Sequence, residues 1–224
     1  MTKLAIVDHP SPNCGPRRDD LHPALIVIHY TAMENAQAAI ARLCDPEAEV
    51  SAHYVIANRG EITQLVPEDQ RAWHAGAGAW AGMDDINSRS IGIELDNVGT
   101  HPFSEPQMAA LEHLLKGIMA RWAIPAAGVI GHSDMAPGRK GDPGPHFDWA
   151  RLARQGLARA IGGDAGPQSQ NFDSFRKAAR ALGYTAEVDD DALLSAVRLR
   201  YRPYAQGPLC ASDLAALGET DLQT

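Results

Sequence analysis

Residues 24–30 read ALIVIHY, a run of mostly β-branched apolar residues closing on a histidine. A short apolar run of this composition is a buried strand, and the rest of the fold can be laid out around it. Residues 35–43 follow with helical spacing and stop at Asp45-Pro46. Residues 53–58 and 61–66 are two short strands joined at Arg59-Gly60, a plausible hairpin turn. SIGIELD (90–96) alternates, with Ile91, Ile93 and Leu95 on one face. Ser104 with Gln107 three residues later matches a capping box and opens a helix running to about Trp122, ahead of Pro125. Residues 128–131 are a short strand, and 148–161 a helix ended by Gly162-Gly163. Between these lie an aperiodic Gly/Ala/Trp/Asp-rich loop at 71–89 and an irregular Pro/Gly-rich loop at 133–146. Strands interspersed with helices, with a hairpin in the order, predict an α/β fold with a mixed central sheet flanked by helices.

Beyond residue 162 the character changes. Residues 163–170 lack any core-building side chain and read as a linker. Residues 171–182, 190–201 and 212–217 then predict a small three-helix module over 171–224. Apolar stripes recur at helical spacing: Phe172, Phe175, Ala179 and Leu182 on its first helix, Leu193, Leu194, Val197 and Tyr201 on its second. About 55 residues make a marginal independent core, so the module is expected to dock on the 1–162 domain while leaving its chemistry independent.

Composition sets limits on function. Of 224 residues, 45% are hydrophobic and 21% charged, as in a soluble globular chain. Twenty basic against 28 acidic residues give a net charge of −8. Without a basic run there is no electrostatic footprint for nucleic acid or for an anionic membrane surface. No apolar run approaches the ~20 residues of a membrane span, and residues 4–7 are too short for a signal-peptide core, so a cytoplasmic protein is expected. Cys14, Cys44 and Cys210 are dispersed and odd in number, which suits free thiols rather than a disulfide framework. All nine histidines fall between His9 and His146, so any histidine chemistry belongs to the first two-thirds of the chain.

Three positions in that part of the chain stand out. His29 and His132 each end an apolar strand, and Asp142 sits in GRKGDPG, a loop whose glycines and proline fix the backbone. Two imidazoles and a carboxylate suit Zn2+ with a fourth position left for water. Their spacing is no motif, and ordinary histidines at strand ends remain the alternative. Glu94, flanked by Ile93 and Leu95, is either a solvent-facing strand residue sharing a face with Gly92 and Asp96, or a general base. Lys140 is either an exposed loop lysine or a cation for a developing oxyanion. Trp73-His74 is either a satellite cluster or one wall of a substrate groove.

VIHYTA (27–32), SAHYVI (51–56), WHAG (73–76), SIGIEL (90–95) and GHSDMAPGRKGDPG (131–144) resemble, in order, the motif set of zinc-dependent N-acetylmuramoyl-L-alanine amidases. This is the family of the bacterial AmpD and AmiD enzymes, sharing its fold with peptidoglycan recognition proteins. The resemblance covers roughly residues 20–160. It implies one catalytic Zn2+ on His29, His132 and Asp142, with Glu94 as base and Lys140 stabilising the transition state. It also implies peptidoglycan fragments (muropeptides) as partners, contacted by Trp73, His74, His53, Arg139 and Asn87. The implied reaction is cleavage of the amide between N-acetylmuramic acid, with or without a 1,6-anhydro ring, and L-alanine. A muropeptide-binding protein of the same fold that does not cut is the alternative. YTAEVDDDALLSAVRLRYRP (184–203) is similar to the peptidoglycan-binding helical domain found behind some of these amidases. The Phe-Gln pair usual there is replaced, leaving glycan binding and a structural cap both open for that module.

Overall fold

The computed structural model describes residues 5–160, 162 and 171–218. The expected linker at 163–170 and the last six residues lie outside the described residues. The strands are β1 (Ile6–Asp8), β2 (Cys14–Pro16), β3 (Leu25–Tyr30), β4 (Tyr54–Ile56), β5 (Ile62–Gln64), β6 (Gln70–Ala72), β7 (Ser90–Leu95) and β8 (Val129–Gly131). The helices are α1 (Ala36–Leu43), α2 (Ile86–Arg89), α3 (Glu105–Trp122), α4 (His132–Met135), α5 (Trp149–Arg154), α6 (Phe172–Leu182), α7 (Asp190–Tyr201) and α8 (Ala211–Leu217). Six strands form one sheet in the order β1-β5-β4-β7-β3-β8. Only the β4–β5 hairpin is antiparallel within it. The expected mixed sheet flanked by helices is present.

Alternation along β3 divides the core in two. Ile26 and Ile28, with Ile91, Ile93 and Leu95 of β7, meet α3 and α5 on one face. The α3 residues Leu111, Leu114, Leu115 and Ile118 recur at the spacing of a single helical stripe. Ser104 caps this helix by accepting from the Gln107 amide, and Ala123 ends it in the left-handed region. On the opposite face Leu25, Val27 and Ile130 meet Phe175, Leu182, Leu193 and Val197 of the C-terminal helices in one continuous apolar cluster. The predicted apolar stripes on α6 and α7 thus bury against the sheet as well as against each other. α1 covers the remainder of that face, with Ile40 and Leu43 over Val55.

Several local expectations need correction. β1 and β2 were not foreseen; each is three residues long, and β1 is fully exposed, so neither leaves a periodic apolar signal. The 71–89 segment is less irregular than its composition suggests, since β6 pairs with β2 and α2 closes it before β7. The 133–146 segment also begins in a helical turn, α4, where Asp134 Oδ2 accepts from the Gly131 amide. The helix expected over 148–161 ends at Arg154, because Gly156 turns into the left-handed region at φ +69°. Among the described residues no helix is long and apolar enough to cross a membrane.

Asp213 at the start of α8 fastens that helix to the end of α7. It accepts from Arg198 Nε and Nη2 and from Arg202 Nη1, at 2.6–2.9 Å. Burial alone would raise its pKa, but bonds from Arg198, Cys210 and Arg202 hold the carboxyl well below the usual range. The unfolded chain takes up this proton near pH ~4. The stabilisation is therefore complete above that pH and is lost as pH falls towards the depressed native value. Asp213→Asn is expected to lower the melting temperature at pH 7, with the gap to wild type closing on acidification below pH ~4. A gap that stays constant from pH 7 to 3 would refute this.

Candidate active site

The parallel register of β3 and β7 pairs His29 with Glu94. Both side chains leave the sheet on the face of Leu25 and Val27, at the C-terminal ends of the strands, where ligands bind in open α/β sheets. β8 lies on the other side of β3, pairing Gly131 with Ile28, and His132 follows it directly. The loop after α4 then returns Asp142 to the same spot. One ligand atom from each of His29, His132 and Asp142 lies within 4.8 Å of the other two, a group that could hold a metal ion. His29 Nδ1 is 2.9 Å, and His132 Nδ1 3.1 Å, from the same Asp142 Oδ2. Burial, then the neighbouring His132, pushes His29 down to about 4. Burial opposes ionisation of Asp142, yet the two imidazoles beside it, His132 and His29, hold its carboxyl well below the usual range.

The hydrogen-bond pattern fixes which nitrogen of each ring points inward. Ser90 Oγ donates to Ile86 O at 2.5 Å, so it accepts from His74 Nε2 at 3.2 Å. His74 Nδ1 is then an acceptor and takes a proton from His29 Nε2 at 3.0 Å. That leaves a lone pair on His29 Nδ1. His132 Nε2 donates to Ala75 O at 2.8 Å, which frees its Nδ1 in the same way. Two lone pairs and a carboxylate oxygen therefore converge, a donor set that calls for a cation and suits Zn2+. His74 reaches His29 because Gly92 has no side chain. A Cβ there would lie 2.5 Å from the imidazole.

Glu94 is half-buried and faces the cleft. Its Oε2 is buried and has no hydrogen-bond partner among the described residues. Burial first, and then the charge of Asp142, raises the carboxyl to about 8 against the opposing pull of Lys140. Glu94, Lys140, Arg139, Trp73 and His74 line, with the three candidate ligands, a cleft of about 510 Å³.

Two expected substrate contacts are placed elsewhere. His53 is fully buried: its Nδ1 accepts from the Gly92 amide at 2.9 Å and its Nε2 donates to Gln70 O at 3.1 Å. Asn87 is 9% exposed, and its Oδ1 accepts from the amides of His74 and Ala75. Both residues hold backbone instead of facing the cleft. Arg139 lines the cleft while donating to Ala75 O and Ala77 O.

Sequence reasoning missed Ser90, whose hydroxyl orients His74, and Arg17, whose guanidinium donates to the carbonyls of Glu68, Ser88 and Ser90. It also missed Arg42, an exposed cation on the cleft wall. Only Ser90 carried a usable signal, as a small hydroxyl at the mouth of an otherwise apolar strand.

The N-acetylmuramoyl-L-alanine amidase family profile matches residues 19–145. AmiD of Escherichia coli K12 is 41% identical over 173 residues, which span 70% of this chain and 59% of that one, less than two thirds of its length. The 1,6-anhydro-N-acetylmuramyl-L-alanine amidase AmpD of Citrobacter freundii is 38% identical over 160 residues, 64% of this chain and 86% of AmpD. Among solved structures, E. coli AmiD in complex with anhydro-N-acetylmuramic acid-L-Ala-D-γ-Glu-L-Lys superposes with a TM-score of 0.78 at 33% identity, covering 89% of both chains. AmpDh3 of Pseudomonas aeruginosa gives 0.75 at 31% identity and 93% of both. With the profile match extending over more than half of its length, the chain belongs to the N-acetylmuramoyl-L-alanine amidase family.

Proposed function

We propose that this protein is a zinc amidase hydrolysing the amide between the lactyl group of N-acetylmuramic acid and the L-alanine of peptidoglycan stem peptides. The observation that carries this reading is the placement of one unpartnered, proton-accepting carboxylate, Glu94, in the same cleft as the inward-facing His29, His132 and Asp142 atoms. Zn2+ held by those three residues would act as a Lewis acid that polarises the scissile carbonyl and acidifies water. Glu94 takes the proton of the attacking water and returns it to the departing alanine nitrogen. Its buried setting keeps its proton affinity high enough for this work. The Lys140 ammonium offsets negative charge developing on the carbonyl oxygen. Trp73 offers an aromatic face to the sugar.

Anhydromuramoyl peptides, the ligand class seen in the AmiD complex, are the proposed substrates in cell-wall recycling. Cys14, Cys44 and Cys210 are unpaired. That accords with action on recycled fragments in a reducing cytoplasm.

Glu94→Gln is expected to retain zinc and fold while kcat falls ~10²–10⁴-fold, the usual value of a general base. Wild-type kcat in the purified variant would make Glu94 a plain strand residue. His29→Ala should lose both zinc and turnover, because two protein ligands hold the ion poorly; stoichiometric zinc by elemental analysis would remove His29 from the ligand set. For Trp73→Ala, KM for a muramoyl-tripeptide should rise more than kcat falls. An unchanged KM with a lowered melting temperature would place Trp73 in the packing only.

A further inference from the structure

The C-terminal helices send one charged side chain deep into the sheet. Arg200 of α7 is 3% exposed, and its Nη1 donates to Asp134 Oδ2 at 2.7 Å. Its Nη2 donates to Val129 O at 3.1 Å, and its Cζ lies 4.1 Å from the centre of the Trp149 ring. Asp134 is fully buried. Besides Arg200, it accepts from the Gly131 amide at 2.8 Å and from the Tyr184 hydroxyl at 2.5 Å. Gly131 immediately precedes His132, and the next amide, Ser133 N, donates to Asp142 O at 2.9 Å. The turn that Asp134 closes therefore carries one candidate zinc ligand in its own backbone and holds the backbone of another.

We propose that Arg200, acting through Asp134 and seconded by Tyr184, is a positioning residue for the zinc ligands His132 and Asp142, so that the C-terminal helices are part of the catalytic apparatus. Docking alone does not call for this arrangement. Phe175, Leu193 and Val197 already give these helices an apolar seat on the sheet, and a buried ion pair seldom adds net stability over apolar residues of similar size. What an apolar residue cannot supply is an ionised acceptor for the Gly131 amide. A carboxylate sealed at that spot is sustainable only with a cation beside it. Arg200 is that cation.

The turn between α6 and α7 also holds the loop beyond His74. Gly183 O accepts from the Ala81 amide, Thr185 Oγ1 accepts from the Gly82 amide, and Tyr184 packs on Trp80. These contacts pin the segment that follows His74.

The inference rests on His132 and Asp142 being zinc ligands, and its test separates the two ideas. Full-length wild type, Arg200→Met, Arg200→Lys and Tyr184→Phe are compared for zinc dissociation constant by chelator competition. The visible spectrum after cobalt substitution, and kcat and KM on a muramoyl-tripeptide, complete the comparison. Arg200→Met is expected to bind zinc about 10–100-fold more weakly, the range typical of outer-shell partners. Its cobalt bands should shift, and kcat should fall with KM nearly unchanged. Arg200→Lys should recover part of the affinity, and Tyr184→Phe should show a smaller loss of the same kind. A folded Arg200→Met with wild-type zinc affinity and cobalt spectrum, and only a lower melting temperature, would overturn the proposal. Should Arg200→Met fail to fold, unaltered zinc affinity in Tyr184→Phe would overturn it equally. Wild type that binds zinc without cleaving the tripeptide sinks the amidase activity, while the affinity comparison still decides the role of Arg200. Wild type that binds no zinc sinks both.

Discussion

The parallel pairing of β3 with β7 is the constraint on which the remaining architecture depends. It places His29 level with Glu94, and alternation along each strand then decides which residues can join them. A slip of one position between them would part the two groups, turning one of them into the layer occupied by α3. The slip is opposed by Ile26, Ile28, Ile91 and Ile93, which fill that layer and are wholly buried. The site thus inherits its alignment from apolar packing on the opposite face of the sheet. Parallel strands also put successive strand ends on one edge, where β8 delivers His132.

The polar groups at that edge are ordered from behind. Ser90, His74 and Ala75 hold the outer nitrogens of the two imidazoles, and Asn87 and His53 in turn hold backbone. Each ring is oriented by bonds that involve no ligand, so little side-chain freedom is left to lose on binding. The same sealing removes solvent from Glu94 Oε2, which favours its protonated form and makes it a stronger base than an exposed glutamate. The rim is different in character: Arg42, Arg139 and Lys140 are exposed cations on a chain of net charge −8.

Much of this was legible in the sequence, for identifiable reasons. The strands ending in His29 and His132 are apolar and bounded, and the 131–144 motif holds two candidate ligands and the lysine within fourteen residues. The helices over 36–43, 105–122, 172–182 and 190–201 declare themselves through caps and stripes. What escaped was whatever depends on contacts distant in the chain. β6 exists only because β2 pairs with it. The same holds for Asp134 and Arg200, 66 residues apart, each an unremarked charge until the fold joins them. His53 and Asn87 belonged to the right region but to its rear, since a motif shows proximity to a site without showing which way a side chain faces.

Gly92 illustrates how such information is hidden. A glycine inside a strand ordinarily reads as a weak point or a bulge. Here it is the vacant half of a pair whose other half is the His74 ring, 2.5 Å from where a methyl group would stand. The two positions are thus sterically coupled. In a lineage that kept the imidazole, position 92 would be closed to every larger residue, whereas loss of the ring would release it. Co-variation between these sites, eighteen positions apart in the chain, would record the tautomer lock in sequence data alone.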